Sequence, residues 1–217
     1  SSTVGVRVDV LVTDGRRPVE NLQATDFELR DNGITQAIEL LESTEVPLNV
    51  VLALDTSAST AGSLQDSLVS AGQALIDGLV PGDRVAVTTF SHAVVPRIGL
   101  ASNFAAVRSA LVGLPAAGRT SVFDGLYVAL ANTLEQPGSS LVVAFTDGSD
   151  VSSWLTPDEV IASAQRANAV VYAVTSPKVR HRSAFERLAD VTGGEVVEIA
   201  SDDQIHATFL RILNRFR

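Results

Sequence analysis

Hydrophobic and polar positions follow two different rhythms along the chain. Val4-Gly5-Val6-Arg7-Val8-Asp9-Val10 alternates apolar and polar residues, the pattern of a strand with one wet face. Asp14-Gly15 marks a turn, Phe27-Glu28-Leu29-Arg30 alternates again, and Asp31-Asn32-Gly33 is a hairpin signal ahead of a further strand over residues 34–41. Residues 1–46 are thus expected to form a small antiparallel β segment.

From Pro47 the period changes. Leu48-Asn49-Val50-Val51-Leu52-Ala53-Leu54 is a nearly continuous apolar run, as in a strand buried on both faces. Leu64, Leu68, Ala71, Leu75 and Leu79 then fall on one helical stripe, which Pro81-Gly82-Asp83 ends. Residues 84–90 read as the next strand. Residues 93–98 pair with it antiparallel, because Ser91-His92 is too short for a crossover helix. Asn103 caps a helix to about Leu114, and another is expected over residues 124–134. Strands follow over 141–145, 169–174 and 195–199. Helices follow from Thr156-Pro157-Asp158-Glu159, over 183–191, and from about Asp202 to Phe216. This alternation predicts an α/β domain over residues 47–217: a doubly wound, mostly parallel sheet of about six strands with right-handed crossovers.

Composition narrows the partners. At 217 residues the chain can bury a full core, and 46% hydrophobic with 19% charged residues is ordinary for a globular protein. A formal net charge of −9 repels phosphate backbones, so no nucleic-acid partner is expected. Cysteine is absent, which removes disulfides, thiolate zinc sites and cysteine nucleophiles. No apolar run approaches the roughly 20 residues that span a bilayer, so no membrane insertion is expected. The start at Ser1, without Met or a signal pattern, suggests a trimmed or processed chain, and export is favoured over a cytoplasmic location.

Ligands of open α/β sheets bind beyond the carboxyl ends of the strands. Three polar clusters belong there: Asp55-Thr56-Ser57-Ala58-Ser59, Gly118-Arg119-Thr120-Ser121 and Thr146-Asp147-Gly148-Ser149-Asp150. Two carboxylates facing each other at such an edge call for a cation between them. Asp55, Ser57, Ser59, Thr120 and Asp147 offer two carboxylates and three hydroxyls. Hard oxygen donors of this kind suit Mg²⁺, Mn²⁺ or Ca²⁺ and do not suit structural zinc. Only two formal negative charges neutralise the ion, leaving it with residual Lewis acidity, and a carboxylate from a protein partner would complete it.

The Asp-x-Ser-x-Ser cluster resembles the metal ion-dependent adhesion site of von Willebrand factor A domains, over about Leu48 to the C-terminus. In that resemblance Asp55, Ser57 and Ser59 stand for the first loop, Thr120 for the second and Asp147 for the third. One or both loop serines bind the metal directly, and the carboxylates act directly or through water. It implies a non-enzymatic binding or adhesion module, with Mg²⁺ the first choice of ion. Asp150 has no role in the pattern. Asp9-Val10-Leu11-Val12-Thr13-Asp14 and residues 26–33 are similar to the leader before such domains in bacterial, acidobacterial-type proteins of this family.

Competing readings are weaker on inventory. Asp55, Ser57 and Ser59 could merely cap a helix, and Asp147-Gly148 could be a turn. None of the histidines, His92, His181 and His206, is expected at the strand-end edge, so a Ser-His-Asp triad finds no base. No phosphate-cradling glycine motif occurs. The basic run 178–182 reads as a solvated loop. Trp154 follows the third loop and belongs either to the rim of the metal face or to the packing. The alternative function is a scaffold or assembly subunit with a structural or vestigial metal site. A metal-dependent hydrolase would need Asp150 as general base.

Overall fold

The computed structural model of the chain describes residues 10, 12–14, 17–19, 21–39, 46–177 and 179–216, which gather into two compact units, one up to Val46 and one over Pro47–Phe216. In the first, β1 (Thr13–Asp14) pairs antiparallel with β2 (Arg17–Pro18), and β3 (Leu29–Asp31) with β4 (Ile34–Gln36). Asn32 and Gly33 turn the second hairpin with φ of 48° and 82°, the two positive values a type I′ turn requires. Both strands of that hairpin are three residues long and exposed throughout. With no apolar face to bury, they stop short of the expected Phe27 start and 34–41 span. Of the strand expected over residues 4–10, residues 4–9 lie outside the described residues, and Val10 is exposed and in no strand.

The second unit runs β5 (Leu48–Asp55), α1 (Ser63–Asp77), β6 (Arg84–Phe90), β7 (Val94–Ala101), α2 (Phe104–Ala110), α3 (Val122–Ala131), β8 (Ser139–Thr146), α4 (Pro157–Ala167), β9 (Ala169–Thr175), α5 (Arg182–Thr192), β10 (Glu195–Glu198) and α6 (Gln204–Phe216). Its six strands lie in the order β10-β9-β8-β5-β6-β7, all parallel except the β6–β7 hairpin at one edge. All eight residues of β5 are buried, as the apolar run required. Leu48, Val50, Leu52 and Leu54 pack against α1, α2 and α6, while Val51 and Ala53 pack against α3, α4 and α5. The strand order reverses between β5 and β8. The topological switch point therefore lies between the ends of these strands, at Asp55 and Thr146.

Local signals set most boundaries. Asn103 caps α2 through Oδ1, which accepts from Ala106 N at 3.2 Å. That helix ends at Ala110 rather than near Leu114, with Gly113 at φ 66° in the turn that follows. Thr156 and Glu159 form a reciprocal capping box on α4. The backbone N–H and hydroxyl of Thr156 hold the Glu159 carboxyl below its ordinary pKa. α3 starts at Val122, two residues before the expected Asp124. Its first amides are satisfied from a distant loop: Val122 N donates to Asp150 Oδ1 at 2.8 Å, and Phe123 N to Ser153 Oγ at 3.1 Å. Such a cap is tertiary and leaves no mark in the neighbouring sequence.

Gly125 seats α3 on the sheet, since a Cβ there would run into the fully buried ring of Phe90. Gly125→Ala is expected to destabilise the domain by about 1–3 kcal/mol through overpacking, despite the better helix propensity of alanine. Urea unfolding at unchanged m-value measures it.

Candidate metal centre

Asp55 is the last residue of β5 and is 0% exposed. Its Oδ1 accepts from Ser57 N at 2.8 Å, folding the first loop back on the strand end, and its Oδ2 accepts from Thr146 Oγ1 at 2.7 Å. Thr146 ends the neighbouring strand β8, so the two central strands are tied through this carboxylate. Thr56 N continues the ladder to Phe90 O at 2.8 Å. A single 3₁₀ turn (Ala58–Thr60) and Gly62, at φ 88°, then lead into α1.

Backbone hydrogen bonds bring the second loop alongside. Ala117 N donates to Thr56 O at 2.9 Å, Ala58 N to Gly118 O at 3.1 Å, and Ser121 N to Ser91 O at 2.9 Å. The third loop closes the circle. Ser59 Oγ donates to Asp147 Oδ1 at 2.9 Å, Ser57 Oγ and Ser59 Oγ stand 3.1 Å apart, and Ser176 Oγ donates to Asp147 O at 2.7 Å. A Cβ on Gly148 would lie 3.7 Å from Thr120 Oγ1 and 4.0 Å from Ser59 Oγ. All five residues singled out in the sequence therefore meet at one point. Asp55, Ser57 and Thr120 are buried, Asp147 is half-buried and Ser59 is exposed, so the cluster opens to solvent on one side.

Electrostatics give this cluster its character. Desolvation raises the Asp55 pKa above its ordinary 3.8; the hydrogen bonds of Ser57 and Thr146 oppose the rise, and the Asp147 charge adds to it. Two acids close enough to feel each other, with three hydroxyls and, among the described residues, no cationic side chain bonded to either, form an oxygen-only cradle for a hard divalent cation. Among the described residues no three His, Cys, Asp or Glu side chains cluster as metal ligands. Hydroxyls would thus have to supply the rest of any coordination here.

Several residues contribute that the motif did not name. Thr146 holds Asp55. Asp150, the one acid weighed as a general base, is committed to Val122 N and, at 2.5 Å, to the Ser153 hydroxyl. Asp124 accepts from Trp154 N at 3.0 Å and Leu155 N at 3.0 Å. The histidines need correcting. His92 follows β6, whose end is in register with Asp55, and its ring packs over Gly118 of the second loop. His181 follows β9, half-buried, edge-on to Phe123 at 5.7 Å. Both stand at the edge where none was expected, because β6 and β9 run parallel to β5 and β8 and so end at the same edge; His206 is exposed on α6. Trp154, left between rim and packing, is 95% exposed and so is not packed.

The family model of the von Willebrand factor type A (VWA) domain matches residues 49–211. The chain belongs to the VWA domain family. VWA domains are in general interaction modules rather than enzymes. An uncharacterized protein of Synechocystis sp. is 33% identical over 107 residues, 48% of this VWA chain and 26% of that protein. Among solved structures, the proximal thread matrix protein 1 of the mussel byssus, with a zinc-occupied MIDAS motif, superposes with a TM-score of 0.68 at 18% identity, covering 77% of this chain and 45% of that one. The vWF domain of the type V pili tip protein Mfa5 from Porphyromonas gingivalis gives 0.63 at 13%, covering 78% and 94%. This VWA chain spans about a quarter of the curated relative and under half of the mussel protein. At these identities the two structures establish the shared fold.

Because the Asp55 pKa is raised on folding, the native state holds this proton more tightly than the unfolded chain. In cation-free protein its contribution to stability is therefore expected to fall as pH rises above 3.8. Thermal unfolding of wild type against Asp55→Asn, across pH in chelator, isolates the component: the gap between the two should move in favour of the amide as pH rises.

Proposed function

We propose that this VWA domain binds a divalent cation, Mg²⁺ in the first instance, through Asp55, Ser57, Ser59, Thr120 and Asp147, and uses it to engage a carboxylate of a protein partner. The observation that carries the reading is the convergence of two carboxylates and three hydroxyls at the β5/β8 switch point, open to solvent at Ser59. The zinc-occupied MIDAS of the mussel protein supports a divalent ion in this fold.

The chain's own residues divide the work. Thr146 Oγ1 and Ser57 N fix both oxygens of Asp55, so the buried carboxylate presents its remaining lone pairs in one orientation. Ser59 and Asp147 already share a hydrogen bond, so rotation of one hydroxyl proton away from Asp147 Oδ1 frees both oxygens at once. A bound cation supplies the Lewis acidity that attracts an external carboxylate. Three of the five donors are neutral hydroxyls, weak ligands that leave the ion Lewis-acidic, so an anionic partner group is favoured over a neutral one.

No helix among the described residues is long and apolar enough to cross a membrane. Export to the cell surface or periplasm fits the likeness to a pilus tip domain.

Titration calorimetry of Mg²⁺, Mn²⁺, Ca²⁺ and Zn²⁺ into chelator-stripped protein tests the site. One saturable site is expected, abolished in Asp55→Ala and Asp147→Ala. Bound cation at about 100 times its dissociation constant should add about 2.7 kcal/mol to the unfolding free energy. Wild-type binding that survives both substitutions would overturn the assignment, and no binding by any of the four ions would leave the domain a scaffold.

A further inference from the structure

Trp154 is the sole tryptophan of the chain and stands 95% exposed, although tryptophan is ordinarily well buried. Its position is not the slack tip of a loop. Residues 150–155 are fastened to the start of α3 and to the second loop at nearly every step. Val151 N and Ser152 N donate to Thr120 O at 3.0 and 3.2 Å, and Ser152 Oγ meets Ser121 Oγ at 2.8 Å. Ser153 Oγ accepts from Phe123 N, and the two oxygens of Asp124 accept from Trp154 N and Leu155 N. The backbone carrying the indole is thus clamped, two residues from a direct bond to Thr120 of the candidate metal cluster. Val151, half exposed at 50%, lies on the same short segment. A rigid backbone, a large amphipathic side chain and an adjacent exposed aliphatic have the composition of a binding anchor.

Charge identifies what it would hold. The chain carries −9 overall, yet Arg119 immediately precedes Thr120, and Arg180 N is bonded to Ser149 Oγ of the third loop at 3.2 Å. Both arginines are exposed, and among the described residues neither makes an ion pair. Asp150 and Asp124, the acids of this rim, are engaged by α3 and by loop amides. The rim beside the candidate cation therefore offers two guanidinium groups unpaired among the described residues and an exposed indole, while its carboxylates Asp124 and Asp150 are turned to backbone amides.

We propose that Trp154, with Arg119 and Arg180, forms a second contact surface beside the metal centre, and that its occupant is an acidic protein segment carrying an aromatic or aliphatic side chain next to its metal-binding carboxylate. This rests on the cation-dependent reading above. One carboxylate of the segment completes the cation, neighbouring ones face the two guanidinium groups, and the apolar side chain covers the indole. A phospholipid surface is disfavoured, because a single indole without an apolar stripe has little to bury in a bilayer and a bilayer has no apolar side chain beside a carboxylate to match it.

Because Trp154 has no second tryptophan to mask it, its own emission reports the contact. The probes are random poly(Glu,Tyr), poly-Glu and neutral or anionic phospholipid vesicles, each with Mg²⁺ or chelator. Selective tryptophan excitation should give water-exposed emission from the free protein, and a blue shift with poly(Glu,Tyr) that Mg²⁺ makes and chelator removes. On immobilised polymer, Trp154→Ala should lower affinity for poly(Glu,Tyr) by about tenfold, the usual order for an aromatic anchor, to the level seen with poly-Glu. Arg119→Glu with Arg180→Glu should weaken binding to both polymers. Calorimetric Mg²⁺ binding should be unchanged in Trp154→Ala, which separates failure of this surface from failure of the metal site. Equal binding of both polymers by wild type and Trp154→Ala, absence of binding to either polymer, or an emission shift with vesicles alone would each overturn the proposal.

Discussion

A carboxylate with no exposed surface, at the end of the central strand, sets the arrangement of everything around it. Asp55 stands where two parallel strands end side by side, and burial there disfavours its charge. The Ser57 amide and the Thr146 hydroxyl only partly offset that cost. Ser57 belongs to the first loop and Thr146 ends the strand that leads into the third, so satisfying the acid ties the starts of both loops together. The second loop joins through backbone bonds to Thr56 and Ala58, the residues that Asp55 has already folded into place. The acid is costly to bury and for that reason organises its neighbours.

The sheet explains why this acid and no other plays that role. Strand order reverses only between β5 and β8, and the helices leaving these strands depart to opposite faces. A crevice is left at the strand ends, which no helix fills. Asn49 and Asp83 show the contrast near the other end of the sheet. Asn49 bridges to Pro137 O and accepts from Arg84, and Asp83 accepts from Leu48 N and Val80 N. Those polar groups are absorbed in tying loops to strands. At the opposite end Ser59 and Asp147 are bonded to each other across an opening to solvent, which is where chemistry remains available.

How far this was legible in the sequence depends on the range of each interaction. The apolar run 48–54 marked β5 because burial on both faces demands it, and the Thr156 box marked α4 because a cap is local. That Asp55, Ser57, Ser59, Thr120 and Asp147 come together was legible because all five lie in three short polar strings that follow or precede strand and helix ends. The tertiary clamps were missed. Nothing beside Val122 shows that Asp150 will cap it from 28 residues away, and nothing beside Trp154 shows that Asp124 will hold its amide. The two histidines were misplaced for another reason: in a parallel sheet the strands over 84–90 and 169–174 end at the same edge as β5, so the loops that carry His92 and His181 start there.

Those long-range clamps also bear on how the module works. A metal site of this kind could be built on loops that order only when the ion arrives, with the ordering cost subtracted from affinity. Here the loops are already joined to one another: Thr146 to Asp55, Ser59 to Asp147, Ser152 to Ser121, Asp150 to α3. Preorganisation of this sort leaves more of the interaction energy for the partner. It also means that a substitution on the far side of the loop, at Asp124 or Ser153, can disturb the face without touching a ligand. The proposed binding surface is then better regarded as the whole hydrogen-bonded ring of loops than as five side chains.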